Sequence, residues 1–324
     1  MVPLSRVNWQ GRSYSLSIHL ASGASRQFIL VINVSSLTQQ RPIVIRDIEL
    51  ISEMREVESL QKEVWGCDDR DIVPLTILAA TREIGAVLVG AFDGSSLIGF
   101  AYSFVGREDE RMVHHSHMLA VRPTYRNVNL GYKLKLAQRD RALAQGITRM
   151  TWTFDPLQSL NAHFNFAKLG VVADAYKINF YGETTSSFLH QIGNGTDRLW
   201  VTWPLDSSRV HERLRTKDQS RNADLDLDRM ACLVQVGPNN VPQRRQSSEV
   251  AGQKDVSIEI PADINALQSE RPELAVRWRE ATRWAFSEAM ASGYLIEDFY
   301  GSSRNGQSIG VYLLSAGKRV KDFA

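Results

Sequence analysis

Met118-Leu119-Ala120-Val121-Arg122-Pro123-Thr124-Tyr125-Arg126-Asn127-Val128-Asn129-Leu130-Gly131-Tyr132-Lys133-Leu134 reads as a strand, a loop and the start of a helix. Leu130, Leu134 and Ala137 recur at helical spacing and define the inner face. A helix start presents unpaired backbone N–H groups and the positive end of the helix dipole. A pyrophosphate needs several such donors converging on it and no side chain in the way. Gly131 permits close approach, Arg126 adds a fixed positive charge at the mouth, and Lys133 and Lys135 lie within the first turns. Taken alone, these residues also fit an ordinary loop glycine and a solvated arginine.

The elements around this segment are regular. Upstream, Ile43–Glu49 alternates as a strand does. Ser52 stands ahead of Met54, Val57, Leu60 and Val64 at helical spacing, and a second short helix follows Pro74. Ala86–Phe92 and Leu97–Val105 read as strands joined by the turn Asp93-Gly94-Ser95-Ser96, and Met112–Val121 as a third. Downstream of the helix, which ends near Ala144, Arg149–Phe154 is a strand. Leu157–Leu169 is a helix closed by Gly170, and Val172–Phe180 and Leu199–Pro204 are strands. Hairpins mixed with crossover helices predict an α/β or α+β domain built on a mixed sheet.

Residues 1–40 are rich in Ser, Gln, Arg and Asn with one strand-like patch at Gln27–Val34, and read as a poorly ordered extension. Residues 43–205 form the main domain. Residues 206–228 are a polar, charge-dense linker or exposed helix. Residues 229–324 form a C-terminal α/β extension with strands at Met230–Val236, Val256–Ile260, Leu295–Phe299 and Gly310–Leu314. Its long helix starts at Pro272, with Leu274, Trp278, Ala281, Ala285 and Ala289 in one stripe. This extension is expected to pack on the same sheet or to cover the acceptor site.

Composition narrows the function classes. In 324 residues, hydrophobic side chains make up 43% and charged ones 23%, the balance of a folded globular chain. The net charge of +2 gives no global reason to expect a nucleic-acid or membrane partner, so attraction for an anion must be local. Cys67 and Cys232 form neither a CxxC pair nor a disulfide framework. No apolar run reaches the ~18–20 residues that cross a bilayer. The expected location is the cytoplasm.

Two spaced segments carry a family resemblance. Leu119-Ala120-Val121-Arg122-Pro123 followed by Arg126-Asn127-Val128-Asn129-Leu130-Gly131 resembles motif A of the GNAT acetyltransferases, in which Arg/Gln-x-x-Gly-x-Gly/Ala follows such a strand. Phe166-Ala167-Lys168-Leu169-Gly170-Val171 resembles the family's later Tyr-x-Lys-Leu-Gly-Phe. His115 to Val121, Phe154 to Leu157 and Asn161 to Asn165 are similar to a bacterial subgroup of predicted GNAT acetyltransferases that shares the C-terminal extension. The resemblance implies a GNAT acyl-CoA N-acyltransferase fold with acetyl-CoA, as co-substrate, wedged between two parted strands. It implies that Leu119, Ala120 and Val121 pair with the pantetheine through backbone groups. Arg126, Asn127, Val128, Asn129, Leu130, Gly131 and Tyr132 would hold the pyrophosphate. It also implies a homodimer. Two positions depart from the pattern. Asn129 replaces the first glycine, and Phe166 replaces the tyrosine that commonly protonates the leaving thiolate.

Direct transfer needs a base for the attacking amine and an acid for the departing thiolate. Alternation along His114-His115-Ser116-His117 puts His115 and His117 on one face with Leu119 and Val121, and His117 is the first candidate base. Partly buried, hydrogen-bonded strand histidines fit the same pattern. His115 and His117 have no carboxylate or cysteine beside them, so no metal site is expected. Asp155 is placed to bind the acceptor ammonium or relay a proton, or else to cap the helix after Pro156. Asn161 and His163 lie on that helix facing different ways. Tyr176 and Tyr181 are the nearest replacement acids, and Tyr181, ending a strand, is the better placed. The expected activity is transfer of acetyl to an amine of a small molecule. A CoA-binding sensor or interaction module with a degenerate site is the alternative.

Overall fold

The computed structural model describes residues 3–9, 12–19, 29–33, 42–182, 195–216, 229–245, 250 and 252–323. Two compact units are distinguished, and the first is centred on residues 1–44. In it β1 (Pro3–Trp9), β2 (Arg12–His19) and β3 (Ile29–Asn33) pair antiparallel in the order β1-β2-β3. The sequence suggested one strand-like patch in this stretch, overlapping β3. The intervening residues lie outside those described.

The second unit is organised by one mixed sheet. Its strands are β4 (Val44–Asp47), β5 (Val87–Asp93), β6 (Ser96–Glu108), β7 (Arg111–Val121), β8 (Arg149–Phe154), β9 (Val172–Lys177) and β10 (Arg198–Pro204), followed by β11 (Ala231–Val236), β12 (Pro242–Arg244), β13 (Asp255–Pro261), β14 (Tyr294–Arg304) and β15 (Gln307–Ala316). Their order across the sheet is β12-β11-β13-β15-β14-β9-β10-β8-β7-β6-β5-β4. The C-terminal residues therefore extend the same sheet, through a contact of Ile296 in β14 with Ala173 in β9.

Helices cover both faces. On one, α1 (Ile51–Trp65) and α2 (Leu75–Glu83) bury Met54, Val57, Leu60 and Leu78 against Leu88, Phe100, Tyr102 and Ala120. The first turn of α1 is closed by Glu53, whose carboxylate accepts from the N–H groups of Glu49 and Leu50, and not by Ser52. On the other face, α3 (Leu130–Ala144) packs Leu130 and Leu134 against Val87, Val89, Ile98 and Ala101.

The segment after β8 differs from the plain helix expected over Leu157–Leu169. Asp155 Oδ1 accepts from the N–H of Leu157 at 2.9 Å and turns the chain first. A single turn, α4 (Ser159–Ala162), then opens into a π-helix over His163–Leu169 that ends on Gly170 at φ 78°. The wider turns direct Asn165 and Phe166 inward, where Asn165 Oδ1 accepts from Trp152 Nε1 at 3.3 Å.

The stretch read as a linker or exposed helix begins with a helix. Helix α5 (Ser208–Arg215) buries Val210 and Arg213, and Arg213 pairs with Asp298 in β14 at 2.5 Å. Residues 217–228 lie outside those described. In the C-terminal part, α6 (Ile264–Glu270) precedes α7 (Pro272–Ala291), whose expected stripe of Leu274, Trp278, Ala281, Ala285 and Ala289 is buried throughout. Phe286 of α7 and Tyr312 of β15 join Phe154 and Phe166 in one core, and Tyr312 donates to the carbonyl of Pro156 at 2.7 Å. Among the described residues, no helix is long and apolar enough to cross a membrane.

Candidate functional site

Strands β7 and β8 run parallel but pair only at His114 with Met150 and His115 with Thr151. Beyond these residues they part. Residues Ser116–Val121 of β7 keep β6 on one side, and β8 continues along β10. The cause lies in β7 itself. Its pairing with β6 steps from Ser103–Ser116 to Tyr102–Met118, which leaves His117 as the extra residue of a bulge. A bulge bends its strand and sharpens the twist, and this one opens a fork between β7 and β8.

The bulge also resets which side chains face which way. His115 and His117 share a face as alternation predicts, with ring centroids 6.5 Å apart. Leu119 and Val121 do not join them. They pack with Leu130 and Leu134 on the α3 face, while Met118 and Ala120 pack on the α1 face. Strict alternation fails because one residue too many is inserted at His117, and a shift of one residue turns every later side chain over.

At the mouth of the fork the chain makes a 3₁₀ turn at Pro123–Tyr125 and enters α3 through Asn129. Asn127 and Asn129 have φ of 66° and 59°, left-handed values that asparagine tolerates better than most residues. Asn129 thus supplies backbone geometry usual for glycine. The N–H groups of Leu130, Gly131 and Tyr132 have no acceptor within the helix by its geometry, whereas that of Lys133 reaches Asn129 O at 3.1 Å. A Cβ on Gly131 would meet only Leu119 Cδ2, at 3.7 Å. Arg126 is exposed and donates from Nε to Val121 O at 3.3 Å, which fixes the guanidinium at the end of β7. Leu119, Ala120, Val121 and the loop from Arg126 to Tyr132 are therefore brought together along one edge of the fork.

The His115–His117 face carries an unbroken row of rings. Tyr102 and Phe104 of β6 lie 6.4 and 5.8 Å from His117. Phe104 lies 5.6 Å from His115, and the His115 ring lies 4.9 Å from that of Trp200 of β10, tilted by 30°. Trp200 leads to Phe180 at 6.1 Å, and Phe180 to Tyr181 at 4.8 Å. Tyr181 is partly exposed, and its hydroxyl is 3.1 Å from Thr153 Oγ1. Desolvation among the neighbouring rings lowers the pKa of His117, although the residue is exposed. His115 is pushed down to about 4, first by burial and then by the charges of His117 and Lys135. Both imidazoles are therefore neutral at neutral pH and able to accept a proton.

The opposite, α3-facing side is polar at the same level. Lys135 is buried, not at the helix surface. Its Nζ donates to Ser116 Oγ at 2.7 Å and stands 3.7 Å from the centre of the Trp152 ring. Ser116 Oγ in turn donates to Gln138 Oε1 at 2.8 Å. Gln138 Nε2 is buried and has no hydrogen-bond partner among the described residues. Burial pushes Lys135 down to about 7. In sequence its place among first-turn cations suggested only a long-range field. The missed signal is that Lys135 and Gln138 interrupt the stripe formed by Leu130, Leu134 and Ala142.

The other sequence candidates lie apart from the fork or are engaged. Asp155 Oδ2 accepts from Arg279 of α7 at 2.7 Å while Oδ1 caps Leu157. Burial acts to raise the Asp155 pKa, but the charge and hydrogen bond of Arg279 and the Leu157 N–H outweigh it, and the carboxylate is held below its ordinary range. The Tyr176 hydroxyl donates to Asp197 at 2.7 Å, and burial followed by the Asp197 charge pushes it well above the usual tyrosine range. Asn161 is exposed and His163 half-buried, beyond Asp155 in the chain. Phe166 is fully buried edge-on against Tyr312, in the core and not on the cleft. His114 is buried between Ser103 and Gln145. Among the described residues, no group of three or more His, Cys, Asp and Glu side chains is arranged to hold a metal ion.

A model described as the acetyltransferase (GNAT) family matches residues 51–171. No curated protein matches the sequence. Among solved structures, the ribosomal-protein-S18-alanine N-acetyltransferase from Escherichia coli is 14% identical, covering 51% of this chain and 94% of that one at a TM-score of 0.40. An acetyltransferase of the GNAT family from Streptococcus pneumoniae is 15% identical, with 50% and 98% covered and a TM-score of 0.41. The protein yncA from Salmonella typhimurium, solved with its cofactor acetyl-CoA, is 18% identical, with 51% and 95% covered and a TM-score of 0.39.

Proposed function

We propose that this chain, whose residues 51–171 match the acetyltransferase (GNAT) family model, transfers an acetyl group from acetyl-CoA to the amine of a small molecule by direct attack. The observation that carries the reading is the fork between β7 and β8, with the free N–H groups of α3 at its mouth. The fork fits this co-substrate. Ser116–Val121 offers a strand edge to an amide-bearing arm, Leu130 to Tyr132 offer N–H donors to a pyrophosphate, and the space over Gly131 is open.

His117 is assigned as the base. It is neutral, exposed to solvent and placed at the bulge where the strands part. The row of rings from Tyr102 to Tyr181 is assigned to the acceptor, whose ammonium form an aromatic surface attracts before it loses its proton. Tyr181 closes this row, and its hydroxyl, 3.1 Å from Thr153 Oγ1, is assigned to orienting the acceptor. Asp155 is assigned to holding α7 through Arg279 rather than to the reaction. A cytoplasmic homodimer remains part of the proposal.

Phe166 favours a second reading, in which the domain binds CoA without turnover, because the usual tyrosine position is absorbed into the core. Calorimetric titration with acetyl-CoA tests the shared premise. Wild type is expected to bind, and Arg126→Glu and Gly131→Trp to lose binding while keeping their circular dichroism. Absence of binding by folded wild type to acetyl-CoA, free CoA and longer acyl-CoAs overturns both readings. Release of free thiol in the presence of an amine separates catalyst from sensor.

A further inference from the structure

We propose that Lys135 is a catalytic residue, the proton donor to the sulfur that leaves on acyl transfer; this rests on the acetyltransferase reading above. The position of its ammonium carries the inference. His115 and Thr151 are the last residues that join β7 to β8. The next residue on each strand is Ser116 and Trp152, and Lys135 Nζ touches both, by a hydrogen bond of 2.7 Å and a ring contact of 3.7 Å. The ammonium thus lies at the apex of the fork, on the side where α3 begins.

The surroundings suit an acid more than a structural ion pair. Among the described residues no carboxylate pairs with Lys135. The titratable group on β7 that feels its charge is His115, with Tyr132 and Arg139 about one turn away on its own helix. Trp152 from β8 and Gln138 and Ser116 contribute no charge. Burial in this pocket brings the ammonium close to neutrality in its proton affinity. Gln138 Nε2 is a second buried donor at the same place, and no described residue supplies its acceptor. An acyl thioester in the fork brings a carbonyl oxygen and a sulfur to these two donors. The tyrosines are worse placed. Tyr176 is committed to Asp197, and Tyr181 belongs to the aromatic face, across the sheet from Lys135.

The proton inventory closes. The neutral amine nitrogen attacks the thioester carbonyl carbon and forms the C–N bond, and one N–H proton passes to the imidazole of His117. As the C–S bond breaks, its electron pair stays on sulfur and Lys135 Nζ transfers a proton to it. Amide and free thiol depart. His117 then carries one proton more and Lys135 one fewer, and exchange with water restores both.

The test reads the ionisation of bound CoA, not only turnover. Wild type, Lys135→Met, Lys135→Gln and Tyr181→Phe are saturated with free CoA, and the thiolate absorbance is followed against pH. In wild type the bound thiol is expected to ionise roughly one pH unit or more below free CoA, since an adjacent ammonium favours the thiolate. Both Lys135 variants are expected to lose that shift, to bind CoA within a few-fold of wild type and to acetylate an amine about 10²-fold more slowly. Tyr181→Phe keeps the shift. The proposal is overturned if bound thiol in wild type shows no shift, if a folded, CoA-binding Lys135 variant retains it, or if it disappears with Tyr181. In each of those cases continued amine acetylation by wild type leaves the acetyltransferase reading standing. Failure of wild type to bind CoA overturns both.

Discussion

Asp155 Oδ2 and Arg279 meet at 2.7 Å across 124 residues of chain, and this pair ties the end of β8 to the long C-terminal helix. The Arg279 side chain is 4% exposed, and Asp155 is the carboxylate it meets. Asp155→Ala removes the carboxylate that neutralises this buried charge and is expected to cost about 3–5 kcal/mol of stability. Chemical denaturation checks this. The pH dependence has a definite sign. A carboxylate whose folded pKa is depressed stabilises above its unfolded value, about 3.9, and that stability is lost as pH falls through the folded pKa. Acid unfolding of wild type should therefore steepen below about pH 4, and Asp155→Asn should remove that component.

Lys135 predicts a slope of the same sign at alkaline pH. Its folded pKa is about 7 against an ordinary 10.5. Between those values the unfolded chain holds the proton that the folded chain has released. Stability should then rise with pH across that window, by about 5 kcal/mol at most if Lys135 alone contributes. Lys135→Met should flatten the rise and stabilise the protein below pH 7. Denaturant midpoints measured from pH 6 to pH 10 decide it, and an unchanged slope in the variant contradicts the burial.

His117 predicts the ascending limb of activity. Desolvation lowers its pKa below the ordinary 6.5, so the base form is present already in mildly acidic solution. Plotted against the concentration of neutral amine, kcat/KM should climb to its plateau below pH 6.5. His117→Ala should lower that plateau about 10²-fold or more while CoA affinity stays within a few-fold. A limb above pH 7 that survives in the variant assigns the base elsewhere.

Phe166→Tyr restores the residue usual in the family but should not restore its chemistry. The ring lies edge-on to Tyr312 at 5.8 Å in a fully buried core. A hydroxyl placed there without a partner costs about 1–3 kcal/mol. The variant is expected to melt lower and to turn over no faster. A gain in rate shows that position 166 reaches the sulfur after all.

Much of this molecule is written in short-range pattern. The spacing of Leu130 and Leu134, the glycine after Leu169 and the stripe from Leu274 to Ala289 each depend on neighbours within a few turns, and each is found as an element in the structure. So is the loop from Arg126 to Gly131, because helix starts and left-handed asparagines are local features. By itself the sequence determined the succession of strands and helices from β4 to β10 and the strand, loop and helix start at Met118–Leu134. The tertiary structure alone decided which groups share a site. A bulge at His117 depends on the register of β6 against β7 and turns Leu119 and Val121 away from the histidines. Lys135 becomes a buried ammonium only because two parted strands close over it. Asp155 and Phe166 acquire their surroundings from residues more than a hundred positions downstream. Periodicity reports a residue's own helix or strand, whereas charge, proton affinity and access are set by the partners that folding brings from elsewhere.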